Sequence, residues 1–129
     1  MRYLQAEDIL LIHSILIEET GGMHGVRDHA GLLSVPALAA QTAFHKELYP
    51  TVFEKAAVFA RGIVMDHPFL DGNKRTGITT AALFLEENGY IFIAPKDVLH
   101  VFAVSITMKR LTIPVIADWF KKYTKKKDA

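Results

Sequence analysis

Along most of this chain apolar residues recur at helical spacing, and glycines, prolines and small polar residues break the pattern into segments. Over residues 6–20, Ile9, Ile12 and Leu16 fall on one face and Gly21-Gly22 ends the run, which predicts a first amphipathic helix. A polar loop, Met23 to Ala30, follows. A second helix is expected over 34–45, with Ser34 as its cap and Pro36 tolerated in its first turn. His45 to Pro50 reads as an irregular connector.

The strongest pattern lies in the middle. Thr51-Val-Phe-Glu54 has the spacing of a capping box and opens a helix running to about Asp66. Its apolar positions, from Val52 and Phe53 to Ile63 and Val64, cover a wide arc. Glu54, Lys55 and Arg61 leave only a narrow wet stripe, so this helix is expected to be central. The next, from about Asn73 to Asn88, carries no charge between Arg75 and Glu86, and Gly89 suits its stop. Gly77, Thr79, Thr80, Ala81 and Ala82 would let another backbone pack closely against it. Tyr90 to Ala94 reads as a short extended link. Helices over about 96–109 and 113–124 follow, with Pro95 and Pro114 near their starts. The basic run Lys121 to Lys127 reads as a solvated, frayed end. The fold class is therefore all-α: a single domain over 1–129, compact around two buried central helices, with its core at about 3–120 and a basic tail at 121–129.

Composition narrows the class. The chain has 129 residues, half of them hydrophobic and 22% charged, which suits one soluble globular domain. Without cysteine it has no disulfide or thiolate metal site, and the cytoplasm is the default reading. A formal net charge of +1 supplies no broad basic field for nucleic acid. No segment approaches the roughly 18 uninterrupted apolar residues of a membrane span. Glu7 and Asp8 interrupt any signal-peptide core near the N-terminus.

The candidate chemistry sits between the two central helices, in His67-Pro68-Phe69-Leu70-Asp71-Gly72-Asn73-Lys74-Arg75. A short loop here enters a helix N-terminus, where unpaired N–H groups and a partial positive charge favour a phosphate. Gly72 lets a phosphate come close to the backbone. Lys74 and Arg75 oppose the helix dipole, a conflict that makes sense if an anion sits beside them. His67 is placed to take a proton from an attacking hydroxyl. Asp71 is placed to hold a divalent cation bridging phosphate oxygens. Phe69 would anchor the loop in the core. Each residue alone has an ordinary reading: a structural histidine, a turn aspartate, an N-cap asparagine, surface cations. Their concentration in nine residues at one loop-to-helix junction favours phosphoryl or nucleotidyl transfer.

This segment closely resembles the Fic/Doc motif, H-P-F-x-[D/E]-G-N-x-R. The resemblance extends to Gly25-Val-Arg-Asp28, to Gly31-Leu-Leu and to Glu47-Leu-Tyr-Pro50, which look like death-on-curing (Doc) proteins. It implies a Fic/Doc-type helical bundle that uses ATP and Mg²⁺ to modify a protein hydroxyl. By position it makes His67 the base and Asp71 the metal ligand. Gly72, Asn73, Lys74 and Arg75 become the phosphate cradle, with Lys74 and Arg75 also acting in catalysis. Residues 44–50 take the place of a target-positioning flap, and Arg27 either edges the site or forms a plain loop salt bridge.

Two departures bear on the subclass. Adenylylating Fic enzymes typically carry glycine where this chain has Lys74, and a second arginine where it has Ile78. Doc-type toxins share the Asn-Lys-Arg arrangement, which implies transfer of the ATP γ-phosphate to a threonine of elongation factor Tu and a Phd-type antitoxin as partner. Gly72 instead follows the Fic pattern, keeping protein adenylylation as the alternative. A catalytically inactive Fic scaffold acting by binding is disfavoured by the intact His67, Asp71 and Arg75. Ser14-x-x-x-Glu18 faintly resembles a self-inhibitory Fic helix, but Glu19 departs from it and the arginine it would engage is missing.

Overall fold

The computed structural model describes residues 1–128. Among these, six helices carry the fold: α1 (Ala6–Thr20), α2 (His29–Ala39), α3 (Val52–Asp66), α4 (Asn73–Glu87), α5 (Lys96–Met108) and α6 (Ile113–Lys122). Two short antiparallel pairs tie the connections: β1 (Thr42–Ala43) with β2 (Lys46–Glu47), and β3 (Tyr90–Phe92) with β4 (Thr124–Lys126).

The two central helices are α3 and α4. At the start of α3 the Thr51 hydroxyl accepts from the Glu54 amide at 3.1 Å, while the Glu54 carboxylate accepts from the Thr51 amide at 3.3 Å. That capping box satisfies two donors the helix would otherwise leave bare. Every residue from Lys55 to Ala60 is buried, because α2, α4, α5 and α6 all pack on α3. Close approach of α4 depends on Gly77. A Cβ there would lie 2.8 Å from Val64 Cγ2 and 3.0 Å from the Ala60 carbonyl oxygen, so only glycine fits this crossing. Phe59, Phe84 and Phe120 are fully buried, each contributing about 1.5–3 kcal/mol by leaving water. No helix among the described residues is long and apolar enough to cross a membrane.

Five expectations need correction. The second helix begins at His29 and ends at Ala39, because the Asp28 carboxylate, not Ser34, caps it by accepting from the Gly31 amide at 2.9 Å. Pro36 consequently lies inside α2 rather than in its first turn, where it is buried. The stretch after it is a hairpin instead of helix and irregular connector, turning at Phe44 and His45 with φ of 52° and 64°. Lys55 belongs to no wet stripe. It is 0% exposed, and its ammonium donates to the Ala39 carbonyl at 3.0 Å and pairs with Glu47 at 3.1 Å. Arg61 is half-buried and donates to the Leu111 carbonyl. Finally, over residues 124–127 the basic tail is not frayed: Tyr90 pairs with Lys126 and Phe92 with Thr124, and the Lys127 amide donates to Gly89, while Ala129 lies outside the described residues. Exposed lysines suit such an edge strand because they discourage further pairing.

Candidate active site

The loop from His67 to Gly72 links the C-terminus of α3 to the N-terminus of α4, and three sets of contacts hold it. The first is within the loop. The Asn73 side chain is buried and bonds the Phe69 backbone twice, Oδ1 accepting from its N–H and Nδ2 donating to its carbonyl, each at 3.0 Å. Phe69 itself is 1% exposed, so it anchors the loop as its position suggests.

The second set comes from α1. The His13 ring is 3% exposed and stacks on Phe69, with centroids 3.8 Å apart and planes 3° from parallel. Its Nε2 lies 2.8 Å from the Asp71 carbonyl oxygen. A carbonyl can only accept, so the proton is on Nε2. The third set is a strand-like pairing with the preceding loop. The Arg27 and Asp28 amides both donate to the Pro68 carbonyl, and the Leu70 amide donates to the Gly25 carbonyl. The Arg27 guanidinium donates from Nε to the His67 carbonyl at 2.7 Å and from Nη2 to the Asp66 carbonyl at 2.6 Å. Among the described residues it has no carboxylate salt-bridge partner.

So clamped, the loop lines a cavity of about 350 Å³ with His67, Leu70, Asp71, Gly72, Asn73, Lys74 and Arg75. Among the described residues, only His100, from α5, joins this lining from outside the motif. Gly72 caps α4 with φ of 77°, a left-handed conformation that favours glycine. A Cβ there would also press on Ile17 Cδ1 at 3.1 Å. The first intrahelical bond is from the Thr76 amide to the Gly72 carbonyl, leaving the amides of Asn73, Lys74 and Arg75 as the open donors of a helix N-terminus. No acidic residue occupies this first turn. The positive end of α4 and the two cations therefore face the same space without an internal counter-charge in that turn.

Asp71 is the exception to this positive field. The Met23 amide donates to its Oδ2 at 3.0 Å and the Gly72 amide to its Oδ1 at 2.8 Å. The Met23 amide first, then that of Gly72, hold its carboxyl below the usual range; partial desolvation opposes them, and Arg75 and His13 add smaller pulls downward. It therefore stays ionised beside the cavity. The Arg75 guanidinium donates to the Thr20 hydroxyl at the end of α1.

The motif residues named from sequence are thus brought together, with one refinement. Asn73 has its side chain fully engaged by Phe69, so what it offers a phosphate is its main-chain N–H. Ile78 is 6% exposed and faces the core, so the position of a second arginine points away from the cavity. The 44–50 segment does not join the site. Its hairpin is fastened to Lys55, twelve residues before His67 and so about 18 Å back along α3. Glu18, at the end of α1, pairs with His24 at 2.7 Å.

Sequence reasoning missed His13 and His100. A signal for the first existed: His13 falls four residues after Ile9 and four before Ile17, a polar side chain on the buried stripe of α1. For His100 there was none, because only the packing of α5 on α4 brings it to the cavity.

A model of the family described as Fic/DOC matches residues 3–85, which include the whole motif, α1 and the loop that pairs with it. The chain belongs to the Fic/DOC family. Two relatives are similar over most of the chain. One is named Toxin Doc, from Mycolicibacterium smegmatis, 36% identical over 96 residues that span 74% of this chain and 72% of that one. The other is named Protein kinase doc, from Escherichia phage P1, 26% identical over 123 residues, 95% of each chain. The match to the second runs beyond the family model into the C-terminal helices that supply His100.

Proposed function

We propose that this chain is a Doc-type toxin that transfers the γ-phosphate of ATP to a hydroxyl of a protein target. The observation that carries the reading is convergence on one cavity of His67 with the open N-terminus of α4, Lys74 and Arg75. The amides of Asn73, Lys74 and Arg75, with both cations, bind and orient the triphosphate. His67 takes the proton of the target hydroxyl as its oxygen bonds to the γ-phosphorus, and ADP departs with the bridging oxygen. Asp71 would hold a Mg²⁺. It is one ionised carboxylate at the cavity edge. Such an ion would neutralise charge on the phosphates.

Lys74 favours γ-transfer, since a long cation fills space that glycine leaves open in adenylylating relatives. The buried Ile78 favours it too, because no second arginine reaches the phosphates. Gly72 supports a second reading, AMP transfer, since it follows the adenylylating pattern. The names of the two relatives support a toxin and a kinase. By the same likeness, elongation factor Tu is the proposed target, the cytoplasm the place of action and a Phd-type antitoxin the partner. Incubation of purified elongation factor Tu with this protein and Mg-ATP tests the reading by intact mass. Addition of one phosphate is expected. Addition of one AMP would replace kinase by adenylyltransferase, and an unmodified factor would remove it as the target.

A further inference from the structure

His67 holds a backbone conformation that its residue type does not favour. Its φ and ψ are 49° and 58°, in the left-handed region, and a proline follows it, which disfavours α-like conformations further. The imidazole points into the cavity only because the chain turns this way at the end of α3. Something must over-determine that turn.

Arg27 supplies the bonds that directly reach the two peptides flanking His67. Three consecutive carbonyls, those of Asp66, His67 and Pro68, accept from Arg27: its Nη2, its Nε and its own amide, at 2.6, 2.7 and 2.7 Å. The first two belong to the peptide groups on either side of the His67 Cα. Fixing both planes fixes φ and ψ together, and with them the direction of the Cα–Cβ bond. The planar fork of a guanidinium suits this bridge; a lysine ammonium could not hold both planes in the same way. A cation at the C-terminal end of α3 also complements the dipole of that helix.

The geometry points to Arg27 as the positioning residue of His67, setting the aim of the base without touching nucleotide or target. This rests on the reading of His67 as base. Arg27→Ala is therefore expected to lower kcat at least about tenfold, as small misplacements of a reacting group do, while KM for ATP stays within about threefold. Arg27→Lys should recover only part of the loss.

Asp28→Ala provides the control for stability. It removes the α2 cap but leaves the Arg27 side chain and both backbone bonds to Pro68. It should keep kcat within about twofold of wild type at a similar loss of melting temperature. NMR of the His67 ring adds a readout independent of turnover. Its signals should shift or broaden in Arg27→Ala and stay as in wild type in Asp28→Ala. Unchanged ring signals in Arg27→Ala, or equal loss of kcat in both variants, would overturn the inference. Shifted signals in Arg27→Ala together with a fully active His67→Ala variant would leave Arg27 as the positioner and overturn the reading of His67 as base.

Discussion

The His13 ring, on the first helix, donates to the backbone carbonyl of Asp71, fifty-eight residues away, at 2.8 Å. The same ring lies flat on Phe69. One buried side chain thereby fixes both the floor of the loop and the peptide that precedes Gly72. His13→Ala leaves that carbonyl without its donor and opens space beside Phe69. The expected cost is about 1–3 kcal/mol, read from denaturant unfolding at neutral pH. His13→Phe should keep the stack and still lose the bond, falling between the two. Equal midpoints for all three proteins would contradict this role.

The Asn73 side chain holds the loop, and only its main-chain N–H is left to meet a ligand. Its two bonds to Phe69 close the turn that carries Asp71 and Gly72. In the wild type the Phe69 amide should be strongly protected from hydrogen exchange, and Asn73→Ala should expose it. Asn73→Asp keeps the acceptor but loses the donor to the Phe69 carbonyl, so it should be only partly protected. Unchanged protection in Asn73→Ala would show that other contacts close the turn.

Lys55 and Glu47 form the other internal clamp. Lys55 is fully buried, and Glu47 is its only carboxylate partner among the described residues. Removing the partner strands the charge, whereas Lys55→Met removes the charge itself. Glu47→Ala should destabilise by about 2 kcal/mol, less than a fully buried pair because Glu47 is part-exposed, and Lys55→Met by less. A greater loss in Lys55→Met, measured by urea midpoint, would mean that the lysine contributes through packing and its bond to Ala39.

Asp71 sets a pH dependence whose sign follows from its amide partners. In the folded chain its carboxyl lies below the ordinary aspartate value of 3.8. A depressed carboxylate contributes stability that is fully present above the unfolded value and lost as pH falls through the folded one. Wild type should therefore be more stable than Asp71→Asn by a constant margin down to about pH 5, with the two converging below about pH 4. Thermal melts across this range test it. A margin that grew on acidification would contradict the assigned hydrogen bonds.

Much of this was legible in the chain because local chemistry agreed with the tertiary outcome. Thr51 and Glu54 announce the start of α3, Gly77 its close neighbour, and the motif its own loop-to-helix turn. The misread parts are those decided elsewhere. Asp28 outcompetes Ser34 as a cap, which only the arrangement of the loop against Pro68 reveals. Lys55 looks solvated until Ala39 and Glu47 close over it. The C-terminal lysines read as a frayed tail until Tyr90 to Phe92 offer a strand edge. At the site, the motif pointed to the residues facing the cavity, while His13, His100 and the side-chain bonds of Arg27 depend on segments distant in sequence.

Transfer of label from ATP into protein tests the central reading most directly. The purified chain, and a His67→Ala variant, would each be incubated with cell lysate, Mg²⁺ and ATP labelled at either the α or the γ phosphate. Label is expected in protein only from the γ position and only with the wild type. Label entering from the α position alone would contradict phosphoryl transfer, and undiminished γ transfer by His67→Ala would contradict the role of His67 as the base.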